Sequence, residues 1–321
     1  MGGQIRGIQL YLVRSKKNYH MLKTNPLFLL LALLLLTVGC NRNETVISDE
    51  AAYVESIEAW QHQRLERLKS KNGWLSLAGL YWLEQGENSF GSDPSNKIVF
   101  PEKADAFGGT LFLEDSTVIL KVAEGVQITT KDSLVTNTVL NNDHQEQTTH
   151  LQQGDLAWYI VKRGERYGIR LRDHKHPRID ELDHIPSYPI QSSYVVEATL
   201  EPFETPLTMT VATPLEGYTE SYEVPGLLKF KLRGKNLELH PFASGKGYFL
   251  VIADETTTID TYGAGRFMYA MPDSTGRIIL DFNKAYNPPC AFSPFATCPM
   301  PPRENILDVA IEAGEKTVHM E

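Results

Sequence analysis

The chain has 321 residues, a net charge of −9 and three cysteines. This length allows one large domain or two small ones, and a composition of 42% hydrophobic and 22% charged residues excludes a disordered, collagen-like or coiled-coil chain. An acidic chain lacks the positive face that releases counterions from a phosphate backbone, so we expect no nucleic-acid partner. Three cysteines are too few for a disulfide-rich scaffold.

The first 39 residues have the pattern of an export signal. An unbroken apolar run extends from Leu27 to Leu36. It is too short to span a bilayer, which takes about 20 helical residues, but it is typical of the apolar part of a signal peptide. The sequence Thr37-Val-Gly-Cys40 follows, and the chain then becomes polar at once. The alternatives are a short membrane anchor or a buried helix.

This junction resembles the lipobox of bacterial lipoproteins, although threonine stands at position 37, where leucine is usual. The resemblance implies cleavage after Gly39 and attachment of lipid to Cys40. We therefore expect residues 1–39 to be a signal region, with the true start at Met21, and residues 40–48 to be a lipidated cysteine and tether. The expected location is the bacterial cell envelope, with the lipid anchored in a membrane, most simply the outer membrane.

Removal of the signal region changes the charge balance. Residues 1–39 contain five basic and no acidic residues, so the remaining chain has 26 basic and 40 acidic residues and a net charge of −14. Anionic headgroups repel such a body. The lipid on Cys40 would have to hold it to the membrane, through more than one acyl chain, because a single chain binds only marginally.

Residues 49–71 are predicted to form one amphipathic helix. Ser48 is the expected N-cap, and Asn72-Gly73 is a typical stop signal. The predicted apolar face consists of Val54, Ile57, Trp60, Leu65 and Leu68. Basic residues crowd the last turns, where they complement the helix dipole: Arg64, Arg67, Lys69 and Lys71.

After the helix the pattern changes to period-two alternation with frequent turn residues. The apolar segment 74–83 fits either a strand or a short helix, and 86–91 is predicted to be a loop. Strands are predicted at 97–100, 110–114, 117–123, 126–131, 134–140, 156–163, 166–172, 194–201, 207–213, 219–223, 227–233, 236–240, 248–253 and 277–282.

Two longer segments interrupt this pattern. Residues 141–155 are polar and are predicted to be a hairpin tip, and residues 173–193 contain three prolines and are predicted to be a crossing loop. Many short strands with a single helix predict a mainly β fold, an antiparallel barrel or sandwich. We expect residues 49–321 to form one β-rich domain.

The most distinctive residues lie toward the C-terminus, and we call them the C-terminal motif. Its segments are Thr261-Tyr-Gly-Ala-Gly-Arg266, Leu280-Asp-Phe-Asn283, Ala285-Tyr-Asn-Pro-Pro-Cys-Ala-Phe292, Cys298-Pro and Ala313-Gly-Glu315. With Gly73-Trp-Leu-Ser-Leu-Ala-Gly-Leu80 nearer the N-terminus, the chain resembles the bacterial and archaeal family called domain of unknown function 1684. The resemblance covers roughly residues 55–316. It implies kinship and no activity, because the family has none assigned.

The motif combines polar and aromatic residues, the usual composition of a small-molecule site. Asp281 and Asn283 lie two apart on a predicted strand and so share a face. Arg266 presents a planar fork that suits a carboxylate or phosphate. We expect a pocket for a small polar or anionic ligand, lined by Arg266, Asp281, Asn283, Asn287, Tyr262 and Tyr286.

Two alternatives remain open for the same residues. One is a hydrolase in which Asp281 acts as base and Arg266 stabilises a developing anion. The other is a non-catalytic structural protein of the envelope, in which Arg266 belongs to a buried ion pair.

Cys290 and Cys298 are expected to form a disulfide, because the envelope is oxidising. Unbonded paired thiols and a reactive thiol are the alternatives. A cysteine nucleophile needs a base, and the nearest histidine in sequence is His240. The spacing of the two cysteines does not match a short zinc knuckle.

No metal or cofactor is expected. His174 and His176 would point the same way in an extended chain and could share a metal with Asp180, Asp183 or His184. Lys175 and Arg178 oppose a cation there, so a solvated loop is favoured. No phosphate loop, dinucleotide fingerprint, nucleophile elbow or His-Glu-x-x-His motif is present. Arg170 and Arg172 share a predicted strand face, and we consider that they extend a cationic lining toward Arg266.

Overall fold

Alternating apolar and polar residues fold into four open β-sheets, and the computed structural model describes residues 46–131 and 133–319. The predicted signal region and Cys40 lie outside the described residues. The mainly β prediction is confirmed, and no sheet within the described residues closes into a barrel. All strand pairs are antiparallel except β2 with β3.

The helices are α1 (Glu50–Lys69) and α2 (Arg178–Glu181). The strands of the first half are β1 (Leu77–Trp82), β2 (Gly86–Gly91), β3 (Ile98–Val99), β4 (Gly109–Glu114), β5 (Thr117–Val122), β6 (Thr129–Thr130), β7 (Ser133–Leu134), β8 (Asn137–Leu140), β9 (Leu151–Gln153), β10 (Leu156–Arg163) and β11 (Arg166–Asp173). Those of the second half are β12 (Val195–Ala212), β13 (Thr219–Leu232), β14 (Lys235–Leu239), β15 (Phe242–Ser244), β16 (Gly247–Ile252), β17 (Arg266–Ala270) and β18 (Ile278–Asp281).

The first half consists of two sheets that share one core. A six-stranded sheet has the order β1-β11-β10-β9-β6-β7, and a five-stranded sheet has the order β3-β2-β4-β5-β8. Inward residues of both sheets form a continuous apolar cluster. At its centre the ring of Phe90 lies 5.3 Å from that of Phe100 and 5.5 Å from that of Trp158. Such tilted and edge-on aromatic pairs add to the stabilisation by buried area.

The second half repeats this arrangement with a four-stranded sheet, β14-β13-β12-β18, and a three-stranded sheet, β15-β16-β17. Their shared core includes alternate residues of the C-terminal segment: Leu307, Val309, Ile311 and Ala313. Strands β12 and β13 are long, whereas the sequence predicts two shorter strands in place of each. Pro202 interrupts the alternation, but the pairing continues past it through a register shift that ends at Leu207.

Helix α1 is confirmed, with ends that differ slightly from the predicted 49–71. Asp49, not Ser48, is the N-cap, and its carboxylate accepts a hydrogen bond of 3.1 Å from the amide of Ala52. The buried face is centred on Tyr53, Ile57, Arg64 and Leu68. Arg64, predicted to complement the helix dipole with the other basic residues of the last turns, is therefore part of the buried stripe. No helix within residues 46–131 and 133–319 is long and apolar enough to cross a membrane.

Three predicted connections contain regular structure. Residues 86–91, predicted as a loop, form β2, because Phe90 enters the core while the buried Asn88 side chain binds backbone groups of Glu84. The predicted hairpin tip at 141–155 contains β9, and the crossing loop at 173–193 contains α2.

Ile57→Ala should lower the free energy of unfolding by about 2–5 kcal/mol, because the side chain is fully buried where α1 packs on the sheets. Urea denaturation measures the loss. The matched control on the same helix is Glu55→Ala at an exposed position, which should change stability by less than about 0.5 kcal/mol. An equal effect of the two substitutions would contradict the packing of α1 through its Ile57 face.

Candidate functional site

An aromatic cleft of about 460 Å³ lies between α1 and the strands of the three-stranded sheet. Helix α1 contributes Trp60, and the sheet contributes Phe249, Phe267 and Tyr269. Further residues come from the segment before β1 and from the C-terminal motif: Trp74, Tyr286 and Pro289. Two arginines of α1, Arg64 and Arg67, complete the lining.

The aromatic side chains of the cleft form a contiguous array. Phe249 contacts Phe267 edge-on, with 4.9 Å between ring centroids, and lies 5.1 Å from Tyr269. Tyr286 continues the array at 6.0 Å from Phe267 and 6.5 Å from Trp60. Each ring is held by its neighbours, so the walls are preformed.

Arg64 is fixed on one side of the cleft by a buried ion pair. Its Nε donates to Glu315 Oε1 at 3.1 Å, and its Nη2 donates to the carbonyl oxygen of Asn287 at 2.8 Å. The guanidinium also lies over the ring of Tyr286, 4.7 Å from the centroid. Its Nη1 has no hydrogen-bond partner within the described residues, yet is not sealed from solvent.

Arg67, one turn later on α1, differs from Arg64 in its surroundings. It is exposed, and it forms no ion pair within the part of the chain that the structure describes. Glu315 balances the charge of Arg64, so Arg67 leaves the cleft with an uncompensated positive charge. This positive site belongs to a strongly acidic body.

Burial shapes the protonation of two groups beside Arg64. The pKa of Glu315 is raised from its ordinary value, because burial outweighs the opposing effects of Arg64 and the amide of Asn287. The pKa of Tyr286 is also raised, chiefly by burial and then by Tyr269. Tyr286 is therefore a neutral hydroxyl at the wall of the cleft.

Arg266, predicted to line the ligand pocket, is instead 1% exposed, and of its guanidinium nitrogens only Nε lacks a hydrogen-bond partner within the described residues. Its Nη2 donates to Asp254 Oδ2 at 2.7 Å and to the carbonyl of Ile311 at 3.0 Å, and Nη1 donates to the carbonyl of Ala313. Arg266 forms a buried structural ion pair, which was one of the alternatives drawn from the sequence, and its partner is Asp254. Its fork ties β17 to the C-terminal segment.

Asp281 and Asn283 are brought together as predicted, but in a different cluster from Arg266. Asp281 accepts hydrogen bonds from the hydroxyl of Tyr53 at 2.7 Å and from the amide of Asn283 at 3.1 Å. The buried Asn283 side chain binds both backbone groups of Gln191. These contacts attach α1 and the crossing loop to the end of β18.

Asn287 and Tyr286 are the predicted residues that lie at the cleft or directly beneath it. The Asn287 amide donates to Glu315 Oε2 at 2.6 Å, and its side chain donates to the carbonyl of Lys316 at 2.7 Å. Asn287 is fully buried beneath Tyr286, so only Tyr286 lines the cleft.

Tyr262 lies near the two cysteines, away from the aromatic cleft, and burial raises its pKa. Cys290 and Cys298 are free thiols in the structure, which therefore does not show the predicted disulfide. The cysteines are nevertheless adjacent, since the amide of Cys290 donates to Cys298 Sγ at 3.1 Å.

The histidine segment and the two strand arginines have separate surroundings. His176 accepts a hydrogen bond from the guanidinium of Arg178 at 3.2 Å, and no group of three or more potential metal ligands comes together within the described residues. Arg170 and Arg172 share a face of β11 and are buried. They do not extend toward Arg266, because Arg172 binds Gly73 and Ser76 while Arg170 approaches Thr297.

Sequence reasoning predicts one of the nine residues that line the cleft, Tyr286, and misses the other eight: Trp60, Arg64, Arg67, Trp74, Phe249, Phe267, Tyr269 and Pro289. Trp60 and Arg64 lie four apart on α1, and Arg67 follows three later, which places all three on one helical face. That spacing is the available signal. The basic residues at the end of the helix also have a simpler explanation, compensation of the helix dipole, and this explanation conceals the signal.

The family model described as protein of unknown function (DUF1684) matches residues 180–316. The chain belongs to this family. The matched range includes β12 to β18 and the whole C-terminal motif. Tyr286 and Glu315 therefore lie within the matched range, whereas α1 lies before it. The segment Gly73–Leu80, also used for the resemblance, falls outside the matched range.

Solved structures give further likenesses to this DUF1684 chain. It is 36% identical to an uncharacterized protein of Haloarcula marismortui, determined in solution, over 43% of this chain and 78% of that one, with a TM-score of 0.36. An FHA domain, studied for phosphothreonine-dependent interactions, is 13% identical over 30% of this chain and 94% of that one, with a TM-score of 0.21. No curated protein matches the chain.

The raised pKa of Glu315 makes a prediction about stability and pH. The folded state retains this proton to higher pH than the unfolded state, whose glutamate pKa is about 4.3, so stability falls as pH rises between the two values. The difference in unfolding free energy between the native chain and Glu315→Gln should therefore decrease as pH rises above about 4, then level off.

Urea denaturation of both proteins at a series of pH values measures this difference. The contributions of the other carboxylates are the same in both proteins and cancel. Glu304→Gln at an exposed position is the matched control. A difference for Glu315→Gln that increases with pH would show that Arg64 outweighs burial and that the pKa of Glu315 is lowered rather than raised.

Proposed function

We propose that this protein binds a small anionic ligand with a flat aromatic portion in the aromatic cleft. The observation that carries the proposal is the pairing of an uncompensated exposed arginine, Arg67, with an aromatic array in the same concavity. The aromatic walls suit a flat apolar group, and a guanidinium suits a carboxylate or phosphate.

The size and polarity of the cleft support a small molecule. Its volume of about 460 Å³ lies within the range of about 300–1,000 Å³ that is usual for small-molecule sites. Apolar walls with few polar groups are also typical of such sites. Arg64 adds a preorganised donor, because Glu315 and Asn287 hold the rest of its guanidinium.

The hydrolase that the sequence suggested has weaker support. Asp281 and Arg266 have separate sets of hydrogen-bond partners, and Arg266 has no exposed surface with which to meet a substrate. A purely structural role accounts for these two residues but leaves the open aromatic cleft without an explanation.

An aromatic anion should bind more tightly than its neutral counterpart. We expect naphthoate to bind at least fivefold more tightly than the neutral naphthamide, because two unit charges about 4 Å apart in water attract by about 1 kcal/mol. NMR titration measures both affinities. Equal affinity of the acid and the amide, or no binding of either, would contradict the proposal.

Variants locate this binding within the chain. Arg67→Gln should weaken naphthoate binding about fivefold and leave naphthamide binding unchanged. Arg303→Gln removes an exposed arginine outside the cleft and is the matched control for net charge. Tyr269→Ala should weaken both ligands, because it removes an aromatic wall without changing the charge.

We also infer that the chain is a lipoprotein of the bacterial envelope, anchored through Cys40. The apolar run followed by Gly39-Cys40 supports this inference. In sequence, only a short segment separates Cys40 from Glu50, the first residue of α1, as expected of a tether. The net charge of −14 opposes adsorption of the body to anionic lipid, so the acyl chains would provide the attachment.

Cys40→Ala should abolish the incorporation of labelled fatty acid in a bacterial host and release the protein from the membrane fraction. The control is Cys290→Ala, which retains Cys40 and should remain labelled. Labelling that persists in Cys40→Ala would exclude Cys40 as the lipid site, and an unlabelled native chain would exclude the lipoprotein assignment.

A further inference from the structure

A second concave surface, independent of the aromatic cleft, contains the two cysteines of the C-terminal motif. A cleft of about 680 Å³ lies between α2 and residues 290–295. Cys290 lines it and is partly accessible, whereas Cys298 is 6% exposed behind it. The thiol of Cys290 therefore faces a space that a second molecule can enter, whereas the thiol of Cys298 is shielded from it.

The two cysteines are adjacent. The backbone amide of Cys290 donates to Cys298 Sγ at 3.1 Å. Both belong to one apolar cluster, with Ala296 between them in sequence. A sulfur atom on either residue can reach the other without movement of a strand, because only an irregular loop connects them.

The buried guanidinium of Arg170 is the observation that suggests a chemical role for the nearby cysteines. It is 4% exposed, and it forms no ion pair with a carboxylate within the described residues. Its Nε has no hydrogen-bond partner, and its Nη2 makes only a long contact of 3.4 Å with the hydroxyl of Thr297, the neighbour of Cys298. A buried cation without a counter-ion is costly.

The nearby groups that could balance this charge are the thiols. The charge of Arg170 acts on both cysteines, and the pKa of Cys290 is lowered, first by the hydrogen bond from Cys298 and then also by Arg170. The pKa of Cys298 is raised by the same hydrogen bond and by burial. Of the two thiols, the one that faces the cleft is therefore the easier to ionise.

We propose that Cys290 and Cys298 form a redox-active dithiol that exchanges with small disulfides, with Cys290 as the attacking thiolate and Cys298 as the resolving thiol. Cys290 Sγ attacks one sulfur of the disulfide, forming a mixed disulfide and expelling one thiolate. Cys298 then loses its proton to that thiolate and attacks Cys290 Sγ, expelling the second thiolate. The second thiolate takes up from solvent the proton that Cys290 released when it ionised. In total the cysteine pair loses two electrons and two protons, and the small disulfide becomes two thiols.

Other charged and titratable groups face Cys290 from each neighbouring element. Tyr262 approaches from the segment before β17, and Arg170 from β11. His176, Arg178 and Glu181 line the opposite side of the cleft. The guanidinium of Arg178 is occupied by carbonyls of Leu77 and Phe292. Arg163 also donates to the hydroxyl of Thr297, at 3.3 Å, but it is paired with Asp143. Arg170 has no such acidic partner within the described residues.

The test uses the full chain with Cys40→Ala, so that two thiols remain, and oxidised glutathione as the disulfide. Mass spectrometry should show loss of two hydrogens with no glutathionyl group retained. Adding Cys298→Ala should trap one glutathionyl group on Cys290. Adding Cys290→Ala instead should slow the reaction of Cys298 at least tenfold. Preferential modification of Cys298, or no reaction of the pair, would overturn the proposal.

The pH dependence of alkylation tests whether Cys290 ionises readily. This measurement is made first on the chain with native Arg170, so it does not depend on the folding of a variant. Alkylation of Cys290, followed by peptide mapping, should have a midpoint below the ordinary thiol value of about 8.5. Arg170→Gln should raise this midpoint and slow alkylation at neutral pH about twofold, equivalent to about 0.3 pH unit. The control Arg166→Gln, at an exposed position on the same strand, should not. A native midpoint at or above 8.5 would refute the assignment of Cys290.

Discussion

The buried contact of Arg64 with Glu315 and Asn287 is the interaction on which the aromatic cleft depends. It joins α1 to the C-terminal motif across 251 positions of sequence. Loss of Glu315 would leave the buried guanidinium of Arg64 without its counter-ion, at a cost of about 3–5 kcal/mol. The same contact immobilises the guanidinium over Tyr286. One side chain therefore attaches the helix to the sheets and presents a preorganised donor to the cleft.

The other polar residues of the C-terminal motif meet a similar requirement. The C-terminal segment and the crossing loop are largely irregular, so their buried backbone groups have no strand neighbours to bind. Arg266 satisfies carbonyls of Ile311 and Ala313, and Asn283 satisfies both backbone groups of Gln191. The distinctive polar residues are thereby explained as anchors of irregular chain. The aromatic residues and the α1 arginines remain as the groups available to a ligand.

This division also shows what the sequence can and cannot predict. Local alternation predicts the helix and most strands, because side-chain period is a short-range property. It does not reveal that β12 continues beyond Pro202, since that depends on the partner strand β13. Local sequence assigns Arg64 to dipole compensation at the end of the helix, whereas the fold brings Glu315 beside it. Likewise, Arg266 takes Asp254 rather than Asp281 as its partner through the placement of distant segments, which spacing does not encode.

A single turn connects the two clefts. Residues Pro289–Ala291 form one 3₁₀ turn, in which Pro289 lines the aromatic cleft and Cys290 lines the other. A bond between Cys290 and Cys298 constrains that turn, and a ligand packed on Pro289 constrains it as well. Binding free energies are reciprocal, so any effect of oxidation on ligand affinity must equal the effect of the ligand on the oxidation equilibrium. The ligand cleft and the dithiol that we propose therefore share one structural element, so a displacement of this turn at one site would act on the other.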